Sequence, residues 1–198
     1  MKQRAKSLIM LECLVLMIIG IGSTIAFYSN DGGTIENETT VKSSSVYLQE
    51  LFDPGDYWVP GETKQKELNF GNNGERDQVI RFRIETKWVR ESGGIWEPSV
   101  EHPVEIKWTD ALLKEWTKFT GDDWYYYNKI LSKNSETAQV MEAVKFSEKL
   151  SNDKQVGDFT HATYQITIYM ESLDVDSMIT REKWGKTFGE GEELVWQE

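Results

Sequence analysis

Histidine and cysteine, the side chains that most often carry catalysis or hold metals, are scarce in this 198-residue chain: two histidines and one cysteine. His102 and His161 stand far apart, and neither belongs to an H-E-x-x-H helix pair that binds zinc. His102 precedes Pro103 in a polar turn, and both histidines are expected in surface loops. No G-x-S-x-G elbow, P-loop or dinucleotide fingerprint is present. The carboxylates of Asp122-Asp123 and of Asp174-Val175-Asp176-Ser177 have a chemistry that suits calcium. Neither run has the central glycine and terminal glutamate that close a calcium loop, so solvated loops are expected. The chain therefore reads as a non-enzyme, with no catalytic residue, no metal site and no cofactor.

Aromatic residues are the other type capable of recognition. Trp124-Tyr125-Tyr126-Tyr127 can stack a sugar or another subunit. Strand alternation puts Trp124 and Tyr126 on one face and Tyr125 and Tyr127 on the other, so one pair is core and the other is free for contact. Tyr125, Tyr127, Trp58 and Trp96 are the candidate contact aromatics. Asn37-Glu38-Thr39 matches a glycosylation sequon, which has meaning only in a eukaryotic secretory route.

The N-terminus says where these residues act. Lys2, Arg4 and Lys6 precede an apolar run from Leu8 to Ala26 that is broken by one charge, Glu12. Three readings fit. Residues 1–26 are a secretory signal, with Thr24-x-Ala26 as the small pair before a cut between Ala26 and Phe27, and Gly20, Gly22 and Ser23 loosening the helix ahead of it. An uncleaved run approaches the length needed to span a bilayer, and the membrane is then a partner through this segment alone. A type IV prepilin also carries an early lone glutamate, which Glu12 resembles, but Ser7 stands where glycine is usual and no amphipathic stem follows. Cleavage at Ala26 leads. Cys13 leaves with the signal, so the remainder has neither disulfides nor thiol chemistry. The whole chain carries −11 formal charge, and losing the leader makes it more acidic. Such a surface repels nucleic acid and anionic lipid.

Downstream the chain reads as strands with turn punctuation. Residues 27–45 read as a flexible arm, because from Asp31 to Ser45 the only bulky aliphatics are Ile35 and Val41. Strands are expected over Ser45–Leu51, Lys64–Phe70 (polar enough for an edge), Gln78–Val89, Val104–Trp108, the Val140–Phe146 stretch and Thr163–Leu173. Gly71-Asn72-Asn73-Gly74 reads as a hairpin turn. In the longest strand Ile80, Phe82, Ile84 and Trp88 alternate with Arg81, Arg83, Glu85 and Lys87. Thr109–Phe119 is the helix candidate, capped by Thr109, with Leu112, Leu113, Trp116 and Phe119 on one face. Together these give an all-β fold: a two-sheet antiparallel sandwich over 46–173 with one short inserted helix, then an acidic tail over 174–198 with a short helix.

The order of these features resembles a family of small proteins exported by Gram-positive bacteria through an alternate, SipW-type signal peptidase, the TasA/camelysin-like and BsaA-like biofilm matrix proteins. Thr24-Ile25-Ala26-Phe27-Tyr28-Ser29 is similar to the family's cleavage region, and Leu51-Phe52-Asp53-Pro54-Gly55 with Pro60-Gly61-Glu62 to its opening strand and turn. Phe70-Gly71-Asn72-Asn73-Gly74 followed by Val79–Ile84 resembles its turn and basic strand. Asp123–Leu131 and Thr163–Ile168 resemble its aromatic segment and closing strand. The resemblance implies a secreted structural subunit of an extracellular matrix or fibre, with a jelly-roll or immunoglobulin-like sandwich. Its partners are the alternate signal peptidase during export and other copies of itself. It also implies an N-terminal donor strand, here Phe27, Tyr28, Ile35 and Val41, pairing with a neighbour's sheet edge. Some relatives are described as metalloproteases, but without a histidine pair or a retained cysteine this chain lacks zinc's usual ligands. A monomeric carbohydrate-binding adhesin is the alternative from another class.

Overall fold

The computed structural model describes residues 25–30, 46–52, 60–90, 94–99, 102–149, 159, 162–189, 191 and 193–198. Among them, thirteen strands and two helices follow in chain order. The strands are β1 (Ile25–Asn30), β2 (Val46–Phe52), β3 (Thr63–Asn72), β4 (Gln78–Arg90), β5 (Ile95–Trp96), β6 (Val104–Trp108), β7 (Trp116–Lys118), β8 (Tyr125–Tyr127), β9 (Ser135–Glu136), β10 (Met141–Phe146), β11 (Ala162–Asp174), β12 (Thr187–Phe188) and β13 (Trp196–Gln197). Helix α1 (Asp110–Glu115) precedes β7, and helix α2 (Ser177–Trp184) follows β11.

The fold is a two-sheet sandwich, as the alternation predicts. One sheet runs β1-β11-β4-β8-β7, with β5 also on β4; the other runs β2-β3-β10-β6, with β9 on β3. The spine of the first sheet is the thirteen-residue antiparallel ladder from Ala162↔Arg90 to Asp174↔Gln78. Its inward residues are the apolar half of each alternating pattern. Ile80, Phe82 and Trp88 meet Ile166, Ile168 and Met170, and these face Val46, Leu68, Phe70, Met141, Val144 and Phe146 of the second sheet. Aromatic packing knits the layers: Phe82 lies 5.0 Å from Phe70 and 4.8 Å edge-on from Trp116.

Three local expectations need correction. Helix α1 stops at Glu115, and Trp116 is already strand. Leu112 and Trp116 do enter the core, but Leu113 is 79% exposed and Phe119 packs elsewhere. Spacings of three and four residues mimicked one long helical face. Thr109 occupies the N-cap position, yet its hydroxyl donates to the Gln139 carbonyl rather than capping the helix. Strand β3 is central, flanked by β2 and β10, despite its charges. Lys66 looks like an edge residue in sequence but is 1% exposed on the core-facing side, paired with Glu50 and 4.1 Å from the Phe52 ring centre.

The Gly71–Gly74 turn is not a hairpin, because β3 and β4 belong to different sheets. The buried Asn72 side chain shapes the crossing. Its Nδ2 donates to the carbonyls of Arg76 (2.8 Å) and Leu131 (3.0 Å), and its Oδ1 accepts from the Gly74 N–H (2.9 Å). Gly71 is required one residue earlier, because a Cβ there would overlap the ring of Tyr47, its cross-strand neighbour. At Asn134 the backbone turns with φ of 56°, at a residue type that tolerates the left-handed region.

The C-terminal segment builds a second core. Trp184, Leu194 and Trp196 cover Val79, Tyr126 and Leu173 on the outer face of the first sheet. Asp176 caps α2 by accepting from Met178 N (2.7 Å) and Ile179 N (3.3 Å), and Gly185 ends it at φ 67°. Strands β12 and β13 then pair, and Trp196 Nε1 donates to the Tyr127 carbonyl at 2.8 Å. The acidic tail is thus part of the folded body.

Candidate assembly edge

Strand β11 has one side fully used and one partly used. Its whole length pairs with β4, while on the other side β1 runs parallel to it over six residues. Ile25 stands in register with Thr167, Ala26 with Ile168, Phe27 with Tyr169, Tyr28 with Met170, Ser29 with Glu171 and Asn30 with Ser172. Among the described residues Ala162–Ile166 have no partner strand on that side, and β1 itself ends the sheet. A parallel strand needs a long connection to its neighbour, and nearly the whole sandwich lies between β1 and β11 in sequence. The backbone groups of β11 that meet β1 are an open ladder whenever β1 is elsewhere.

The outer face beside this edge is electrostatically ordered. Arg81 and Glu171 form an ion pair, with Nη2 and Nε of the arginine at 2.7 and 2.9 Å from one carboxylate oxygen. Arg81 Nη1 donates to the Tyr126 hydroxyl (3.1 Å), which donates to Asp122 Oδ2 (2.8 Å). Burial first, then the Asp122 hydrogen bond, pushes the Tyr126 phenol up to about 12. The guanidinium of Arg81 sits 4.2 Å from the Trp124 ring and 4.7 Å from that of Trp184. Nearer the edge, Arg83 lies 3.9 Å over Tyr169, whose hydroxyl donates to Glu85 at 3.1 Å. The Arg83 hydrogen bond holds the Glu85 carboxyl below its ordinary value. These contacts fix the face of β11 that meets Phe27 and Ser29 in register.

The expected site residues divide into three groups. Phe27 and Tyr28 lie in β1, and the Ala26–Phe27 bond is inside that strand. Ile35, Val41 and Trp58 lie outside the described residues, as do residues 1–24, the Asn37 sequon and His161. The remaining aromatics are less available than their sequence suggests. Tyr127 is 5% exposed and belongs to the main core, so it offers no contact surface. Tyr125 is half-buried, stacked on Phe82 at 5.1 Å with Lys118 over its ring. Trp96 packs on Phe159 (4.9 Å) under Arg90 (3.7 Å). Alternation in this segment does put Tyr125 and Tyr127 on the main core and Trp124 and Tyr126 on the other side. The C-terminal segment covers that second side, and nothing local in the tyrosine run signals it.

The carboxylates of the Asp174–Ser177 run are committed to the fold. Asp174 accepts from Gln78 Nε2 (2.9 Å) and pairs with Arg76 (3.3 Å), and Asp176 caps α2. His102 is exposed in its loop with φ 50°. Among the described residues no three histidine, cysteine, aspartate or glutamate side chains converge as a metal site, and no helix is long and apolar enough to cross a membrane. Of β1, sequence reading named Phe27 and Tyr28 for a donor strand but not Ile25, Ala26, Ser29 or Asn30. Ile25–Asn30 closes the apolar leader in sequence, where strand propensity and signal composition look alike. Comparison with protein-family models and with curated proteins finds no match.

Proposed function

We propose that the chain is a secreted structural subunit of an extracellular matrix or fibre, exported through an alternate signal peptidase that cuts between Ala26 and Phe27. Subunits join when the N-terminal strand of one copy pairs with β11 of the next. One observation carries this reading: an N-terminal strand lies on the edge of β11, joined to that sheet by β1–β11 pairing alone. After the cut Phe27–Asn30 remain of β1, and their backbone hydrogen bonds form whether the strand comes from the same chain or from another. The choice is then set by concentration. A tethered strand acts at an effective concentration in the millimolar range, so exchange is favoured where subunits are crowded, as at a secreting cell surface.

Export fits the acidic composition and the loss of the one cysteine with the leader. The test is deletion of Phe27–Val41. The shortened chain should fold, give an unchanged near-ultraviolet spectrum and remain monomeric where the complete chain forms fibres seen by electron microscopy. Polymerisation unaltered by the deletion refutes the proposal.

A further inference from the structure

On the outer face of the first sheet, where β4 meets the Thr120–Trp124 turn, a cleft of about 650 Å³ opens. Its walls are Arg83 of β4, Lys186 and Glu198, and Trp124 and Asp123 line it together with Thr120. The charged walls are already satisfied: Arg83 bonds Glu85, and Lys186 Nζ is 3.4 Å from Glu198 and 4.5 Å from the Phe119 ring centre. Each cation thus already has a carboxylate partner. Three groups keep unused capacity, each without a hydrogen bond or ion pair among the described residues: the Asp123 carboxylate, the Thr120 hydroxyl and the Trp124 indole N–H. Trp124 is half-buried and held by Arg81 and Arg83 at 4.2 and 5.4 Å from its ring. A rigidly held, partly exposed aromatic in a polar cleft is pre-organised for contact.

The free groups define the ligand. They supply one strong acceptor, one donor and one group that does both, without an uncommitted positive charge. Neighbouring hydroxyls of a sugar ring satisfy such a set, each donating to the carboxylate and accepting from the indole or the threonine. The apolar C–H face of the same ring packs on the indole. We propose that this cleft binds a neutral hexose unit of a glycan chain. The ligand groups of this site are side chains outside β11, whereas the fibre reading uses the β11 backbone, so failure of one leaves the other untouched.

The test titrates the full-length chain, dispersed in a sugar-free phosphocholine detergent, with cellohexaose and maltohexaose while recording tryptophan indole N–H shifts. The expected result is a saturable shift of the Trp124 signal by at least one hexaose, with the affinity read by titration calorimetry falling about tenfold or more in Trp124→Ala. Asp123→Ala, an exposed position that leaves the Arg81 contacts intact, should weaken it as well, while Leu113→Ala on the distant helix α1 should not. Absence of any Trp124 shift with both sugars overturns the proposal, as does binding unchanged in Asp123→Ala. Tighter binding of fully deacetylated chitohexaose than of either neutral sugar also overturns it, since the cleft would then select an amine.

Discussion

Replacing Glu171 by glutamine should destabilise the protein by about 3 kcal/mol, because it strands a buried cation. The Arg81 and Glu171 side chains are 11% and 15% exposed, so solvent screens the pair little. Two arginine N–H groups converge on one carboxylate oxygen, and the amide in Glu171→Gln keeps an acceptor but removes the charge. Breaking a buried pair from one side typically costs 3–5 kcal/mol. The flanking rings of Trp124 and Trp184 and the Tyr126–Asp122 relay still face the guanidinium, which puts the expected loss at the lower end. Urea unfolding followed by tryptophan fluorescence measures it, with the midpoint falling and the slope unchanged. The paired replacement Arg81→Met with Glu171→Leu removes both charges and should recover to within about 1 kcal/mol of the parent. A loss below about 1 kcal/mol for Glu171→Gln refutes the reasoning, since no buried charge would then depend on that carboxylate. A double variant as unstable as the single one refutes it too.

Trp196→Ala should cost about 3–5 kcal/mol and expose the C-terminal segment to limited proteolysis ahead of the sandwich, because the indole packs on Tyr126 and Phe188 and bonds the Tyr127 carbonyl. Mass spectrometry of the first fragments checks the order of cleavage. Stability should also depend on pH through Lys66, whose ammonium burial pushes down to about 8. Between about 8 and the ordinary lysine value near 10.4 the unfolded chain binds more protons, so stability rises with pH there, by at most about 3 kcal/mol. Tyr126, raised to about 12, has the opposite sign: above about 10 the folded state binds more protons and stability falls. Unfolding titrations should therefore peak near pH 10, and Lys66→Met should abolish the rising limb.

The fold was legible where one strand face meets the core and the other meets water. The period of two in β4 and β11 gave their extents to within a residue or two and, in β4, named the inward set of Ile80, Phe82, Ile84 and Trp88. Sequence failed where the deciding contact is non-local. Gly71–Gly74 carries hairpin chemistry, yet sheet membership depends on Asn72 reaching the Leu131 carbonyl, 59 residues away. Lys66 reads as solvent-facing because its charge is visible in sequence, whereas its partner Glu50 on the adjacent strand is not. The assembly edge was half legible: composition marked the N-terminal segment as outside the core, but its parallel register with β11 has no local signature.

The central claim is that β1 passes between copies, and a disulfide trap tests it directly. Tyr28 and Met170 are in register across β1 and β11, so Tyr28→Cys with Met170→Cys places two thiols within bridging range, with Cys13→Ser removing the native one. Oxidised at high concentration under fibre-forming conditions and run without reductant, this protein should give a ladder of covalent multimers that collapses to monomer on reduction. A product that stays wholly monomeric while fibres are present, with the bridge closed inside each chain, contradicts the account.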